Sequence, residues 1–267
     1  MNSNTVSFLK ENIHYYTQGK GRCIVLLHGF LGSSEIWKKI VPILSKSYKV
    51  VCIDLPGHGK SDCLGYAHSM ELMADAVFAV LKKLRIKKCV MVGHSMGGYV
   101  TLAFAKKYPE YLKGFCLFHS TAHPDSEEKK KDRNRAIKIV RNNPRLFIKP
   151  MIKNLFAKRN IKYLTDEIKF ATDIALKTPV QGIIAALIGM RDRPSYISVL
   201  SDANYPIMMI IGKQDNVLPY NVLLEQCELI KEKHCLFLEY DGHFGMLENP
   251  NATGIAIRQF ARKCFNK

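Results

Sequence analysis

Ser95 lies at the centre of Gly93-His94-Ser95-Met96-Gly97, a Gly-x-Ser-x-Gly pentapeptide. Residues 88–92 before it form a short, mostly apolar run that reads as a buried strand. Residues 98–108 after it have helical spacing and stop at Pro109. Strand, tight turn and helix lift a hydroxyl out of the chain, beside the free N–H groups and positive dipole of a helix start. The chemistry on offer is nucleophilic attack on a carbonyl. A serine hydroxyl does this only when a base takes its proton and a third group orients the base. His243 is the expected base, in the glycine-flanked loop Asp241-Gly242-His243-Phe244-Gly245. His28, His58, His94 and His119 are its weaker rivals: His58 lies in an earlier loop, His94 in the turn beside the nucleophile, and His28 and His119, at strand ends, read as backbone-bonded structural histidines. Asp215, just past the apolar run 207–211, is the expected orienting acid; Asp241 is its rival and reads as a shaper of the His243 loop. A developing oxyanion also needs donors. The N–H of Met96, at the helix start, is one; that of Phe30 is the other, in a loop where Gly29 and Gly32 allow close approach.

These residues need a scaffold that gathers strand ends. Residues 6–9 and 13–16 suggest an edge hairpin. Residues 23–27, 49–53, 88–92, 114–118, 207–211 and 235–238 read as strands, with helical periods between them. Ser34 is expected to cap a helix through Trp37 and Ile40, Met70 to Leu84 mark another, and Asn249-Pro250 is expected to open the last. Such alternation predicts an α/β fold with a mostly parallel sheet covered on both faces, where functional residues collect at the carboxyl ends of strands. From 122 to 195 the alternation gives way to amphipathic helices, an insertion above the sheet.

A chain of 267 residues that is 47% hydrophobic suffices for one large domain with an inserted lid. The net charge is +17, from 40 Lys and Arg against 23 Asp and Glu. Residues 122–195 hold 17 basic and 8 acidic side chains. The basic residues are scattered and no nucleic-acid motif accompanies them, so a solvated surface is expected, with neither nucleic acid nor membrane as partner. Eight cysteines show no Cys-x-x-Cys or zinc spacing. Unpatterned thiols and an N-terminus without an apolar signal core suggest a cytoplasmic protein, monomer or homodimer, acting on a small molecule with no metal or organic cofactor.

With these pieces in order, the sequence resembles the α/β-hydrolase superfamily. The matching segments are His28-Gly29-Phe30-Leu31-Gly32-Ser33-Ser34, Asp54-Leu55-Pro56-Gly57-His58-Gly59-Lys60-Ser61, Gly93-His94-Ser95-Met96-Gly97-Gly98, Gly212-Lys213-Gln214-Asp215 and the stretch from Gly242 to Pro250. The resemblance implies an eight-stranded, mostly parallel sheet, with a core of 1–121 and 196–267 and a helical cap of 122–195 between strands six and seven. It also implies a Ser95, Asp215 and His243 triad, with Phe30 and Met96 forming the oxyanion hole. Leu31, Phe147, Met151, Leu155 and Phe156 are expected to line the substrate pocket. Haloalkane dehalogenases and epoxide hydrolases of the superfamily carry aspartate where this chain has Ser95, which argues against both. The expected activity is hydrolysis of a small carboxylic ester through an acyl-enzyme. Carbon–carbon bond hydrolysis or a lyase reaction on the same residues, and a slow-turnover ligand sensor, are the alternatives. Arg191 and Arg193 read as a salt-bridged hinge of the cap, with contact to an acidic substrate as the other reading.

Overall fold

The computed structural model describes residues 2–266. Eight strands form one sheet: β1 (Asn2–Phe8), β2 (Glu11–Gln18), β3 (Cys23–Leu27), β4 (Lys49–Ile53), β5 (Cys89–His94), β6 (Leu112–Phe118), β7 (Ile207–Gly212) and β8 (Lys233–Leu238). Their spatial order is β1-β2-β4-β3-β5-β6-β7-β8. The β1–β2 hairpin and its junction with β4 are antiparallel, and every other pairing is parallel. The central strands β3, β5 and β7 are buried at every residue. Helices cover both faces of a parallel sheet, so continuous runs such as Cys-Ile-Val-Leu-Leu replace an alternating pattern. The outer strands β1 and β8 are the more exposed ones.

Helix Met70–Lys83 starts where Ser69 accepts the N–H of Leu72, and it buries Met70, Met73, Val77, Val80 and Leu81 against the sheet. The first helical turn after β3 differs from expectation. Its cap is Ser33 rather than Ser34, and a 3-10 turn (Ser34–Trp37) precedes a separate short helix, Val41–Leu44. Pro42 opens that second helix, and its missing N–H breaks the register between the two. Pro250 does open the last helix, Pro250–Phe265, but Asn249 makes no side-chain cap bond.

Between β6 and β7 lie helices Glu127–Asn142, Pro144–Asn154, Thr165–Ala175, Val180–Asp192 and Ile197–Asp202. The first four pack on one another, with Ile137, Val140, Ile148, Ile152, Ile174, Ile183 and Leu187 buried. Among the described residues no single helix is long and apolar enough to cross a membrane; the apolar pair Thr165–Ala175 and Val180–Asp192 is bent by 97°.

Candidate active site

The carboxyl ends of five parallel strands converge. Ser95 follows β5, the Gly29-Phe30 loop follows β3, His119 follows β6, Asp215 follows β7 and His243 follows β8. Ser95 has φ 51° and ψ −115°, a left-handed conformation that a side-chain-bearing residue rarely adopts. The turn is forced by lack of room. A Cβ at Gly93 would overlap the Gly97 carbonyl and the Thr101 hydroxyl, and one at Gly97 would overlap the Leu27 carbonyl. Gly93→Ala should therefore cost about 3 kcal/mol of stability through overpacking, read from chemical denaturation; an unchanged midpoint would contradict this account of the turn.

Asp215 and His243 are joined. His243 Nδ1 lies 2.6 Å from Asp215 Oδ2, and both side chains are almost completely buried. Asp215 Oδ1 accepts the N–H groups of Val217 (2.7 Å) and Leu218 (3.1 Å), which fixes the carboxylate plane. Burial alone would raise the Asp215 carboxyl. The charge and hydrogen bond of His243 outweigh it and bring the pKa down to about 2. Asp241 lies in the His243 loop with its carboxyl raised by burial, and its carbonyl accepts the Gln214 N–H.

The His243 backbone is also tied down. Its N–H donates to Leu155 O (2.7 Å), and its carbonyl accepts from His94 Nε2 (2.8 Å). Glu248 accepts from the Gly242 N–H, the Ala157 N–H and Asn160 Nδ2, so one carboxylate binds the His243 loop to the helical block. Ser95 and His243 line the same cavity. No hydrogen bond joins their side chains here, and such bonds often tighten only when substrate binds. Gly29 abuts the serine: a Cβ there would come within 3.2 Å of Ser95 Cβ. Among the described residues the Phe30 N–H makes no hydrogen bond. Met96 opens its helix, so its N–H has no intrahelical acceptor. Both amides are free to meet a developing negative charge beside Ser95.

The rival histidines are built into the fold. His28 links the Gly29 carbonyl to the Leu55 N–H. His58 contacts the Pro56 carbonyl. His119 faces the N–H groups of Gly212 and Gly245, an arrangement that protonation would oppose. Burial lowers His28 to about 4, His58 and His119 to about 3, and His94 well below its ordinary value. These four stay neutral in the folded protein while their unfolded counterparts take up protons below pH 6.5. Stability is therefore full above about pH 6.5 and falls as pH drops towards the folded values, by about 5 kcal/mol per pH unit at the steepest. Against a total of about 5–15 kcal/mol, the chain should unfold between about pH 5.5 and 3.5. Fluorescence of Trp37, fully buried and edge-on to His94, reports this directly; a fold that persists to about pH 3 would contradict it.

The cavity at Ser95 has a volume of about 240 Å³. Phe147, Met151 and Leu155 line it, as expected. Leu31 and Phe156 do not. Leu31, at φ 60°, is buried beneath the loop, and Phe156 turns away to pack on Phe244. The unforeseen lining residues include Tyr99, Leu187, Met190 and Val217, with Lys129, Asp132 and Arg133 from helix Glu127–Asn142. Arg193 is indeed salt-bridged, to Asp125, and Arg191 pairs with Asp192. Asp54, noted only as part of a loop motif, accepts the N–H groups of Ser34 and Lys60 and so joins two loops beside the site.

Comparison with known proteins adds to this geometry. A family model described as alpha/beta hydrolase fold matches residues 22–250. The chain is 33% identical over 111 residues to an uncharacterized hydrolase of Bacillus subtilis (strain 168), a match spanning 41% of this chain and 40% of that protein. It is 25% identical to a 2-hydroxy-6-oxononadienedioate/2-hydroxy-6-oxononatrienedioate hydrolase of Burkholderia vietnamiensis, over 94% of this chain and 91% of the other. That match spans 40% of the Bacillus hydrolase, and the chain spans 64% and 16% of two further, longer curated relatives. Among solved structures, a thermophilic esterase from Thermogutta terrifontis, with malate bound, superposes with a TM-score of 0.94 at 28% identity, covering 99% of both chains.

Proposed function

The chain belongs to the alpha/beta hydrolase fold family, and taking it as a hydrolase of that family we propose that it cleaves small carboxylic esters through an acyl-enzyme on Ser95. Ser95 Oγ attacks the ester carbonyl while His243 Nε2 takes its proton. Nδ1 is engaged by Asp215, which fixes the tautomer and stabilises the imidazolium as it forms. The N–H groups of Phe30 and Met96 receive the oxyanion. The intermediate collapses, the C–O bond breaks and His243 returns the proton to the leaving alcohol. Water, deprotonated by the same nitrogen, then releases the acid. Helices from residues 122–195 act as the lid that walls the acyl chamber, with Phe147, Met151 and Leu155 facing it.

The observation that carries this reading is the 2.6 Å His243–Asp215 bond in a cavity shared with a serine on a left-handed turn. Likeness to the Thermogutta esterase supports ester chemistry. Likeness to the Burkholderia hydrolase, whose substrates are dienedioates and trienedioates, favours carbon–carbon bond hydrolysis as the second reading. A 4-nitrophenyl ester series of increasing acyl length separates the two. Multiple turnover, strongest for chains that fit the apolar chamber, is the expected result. No turnover of any ester, alongside cleavage of a 2-hydroxy-6-oxodienoate, would shift the assignment to carbon–carbon hydrolysis.

A further inference from the structure

The cavity at Ser95 is apolar over most of its wall, through Phe30, Phe147, Met151, Leu187 and Met190. One side is different. Helix Glu127–Asn142 presents Lys129, Asp132, Arg133 and Ala136 to it, at the i, i+3, i+4 and i+7 spacing of a single helix face. Binding a neutral ester requires no charge on that face, and an ion beside an apolar chamber carries a desolvation cost.

The charges there do not cancel. Asp132 is paired with Arg135. The buried Asp125 carboxylate serves two guanidiniums at once: Arg133 Nε at 3.0 Å and Arg193 Nη1 at 2.7 Å. Arg193 is enclosed, donating also to the carbonyls of Met190 and His123 and lying 3.9 Å over the ring of Tyr99, itself a wall of the cavity. Lys129 Nζ reaches only the Val217 carbonyl, at 3.4 Å. Lys129, Arg133, Arg135 and Arg193 against Asp125 and Asp132 leave two positive charges in excess. The nearby cation Arg191 is spent on Asp192 and Asn134, and Lys130 on Glu127. Because Asp125 engages only Nε of Arg133, the two terminal nitrogens of that guanidinium make no hydrogen bond among the described residues. They present a planar fork of the kind that takes a carboxylate. Asp125 holds the fork in place.

We propose that Lys129 and Arg133 form an anion subsite, and that the preferred substrate is an ester with a carboxylate at the end remote from the bond that breaks. This deepens the serine-hydrolase reading and rests on it. The apolar chamber takes the chain between the two ends, and the subsite selects against neutral esters of equal length.

Two matched pairs of esters test it on the full chain. Mono-4-nitrophenyl adipate against 4-nitrophenyl hexanoate places the carboxylate on the acyl side. 4-(Carboxymethyl)phenyl hexanoate against 4-ethylphenyl hexanoate places it on the alcohol side. The readout is the ratio of kcat/KM, anionic over neutral, within each pair. In at least one pair it should be roughly tenfold at low salt, as one part-exposed charge-assisted contact supplies. The ratio should fall toward unity in Lys129→Gln/Arg133→Gln and narrow in about 0.5 M salt, where screening acts within a few ångströms. Arg133→Lys, which keeps the charge but loses the fork, should keep part of it. The salt dependence needs no substitution, so it stands even if a variant folds poorly. A wild-type ratio at or below one in both pairs overturns the subsite while leaving ester hydrolysis intact, and so does a preference that survives the double substitution. If neither member of either pair is hydrolysed and Ser95 takes up no acyl group, the serine-hydrolase reading itself fails and the subsite falls with it.

Discussion

Ser95→Ala is expected to lower kcat for ester hydrolysis by about a millionfold. Alanine has the same backbone cost as serine at φ 51°, so the turn should survive and only Oγ is lost. The remaining parts cannot compensate. The N–H groups of Phe30 and Met96 would still polarise a carbonyl, and His243 would still be held by Asp215. Such remnants leave a residual acceleration over water of about 10³–10⁴ in related chemistry. The measurement is kcat on the best 4-nitrophenyl ester, with thermal unfolding alongside. Activity within about tenfold of wild type in a folded Ser95→Ala protein would remove Ser95 from the mechanism.

Asp215→Asn should lower kcat by about 10⁴, and the reason lies in the hydrogen bonds. The side-chain oxygen facing the loop accepts the N–H groups of Val217 and Leu218. Asparagine keeps those bonds by placing its carbonyl oxygen there, which turns its NH2 toward His243 Nδ1. That nitrogen must then accept, so the imidazole proton moves to Nε2, the atom required to take the proton from Ser95. The geometry is preserved and the tautomer is wrong. KM should change little, because Asp215 does not line the cavity. Asp241→Asn is the control; its carboxyl is not bonded to His243, and its effect on kcat should be far smaller. Equal losses in the two variants would show that the His243 loop needs acid residues for its shape rather than for its tautomer.

Much of this was legible in the sequence because the fold announces itself through runs. Cys23–Leu27 and Ile207–Gly212 are continuously apolar, and only a strand covered on both faces needs that. Glycines at 93 and 97 mark the turn because nothing larger fits. Once the strand ends were placed, Ser95, Asp215 and His243 could be ordered by their position in the chain alone. The pocket was less legible. Helical spacing tells which residues share a face but not what the face looks at. Leu155 and Phe156 are neighbours in sequence, yet one lines the cavity and the other packs on Phe244. Lys129 and Arg133 read as part of a solvated basic surface, and the face they share with Asp132 became meaningful only when the helix was set over Ser95. The partners of the structural histidines were not legible either: His28 and His119 are bonded by backbone groups far away in sequence.

The most direct test of the central claim is the site of covalent reaction. A fluorophosphonate should form one stoichiometric adduct, and digestion followed by mass spectrometry should place it on Ser95, with excess ester substrate slowing its formation. An adduct on another residue, or none in a preparation that turns over esters, would contradict Ser95 as the nucleophile.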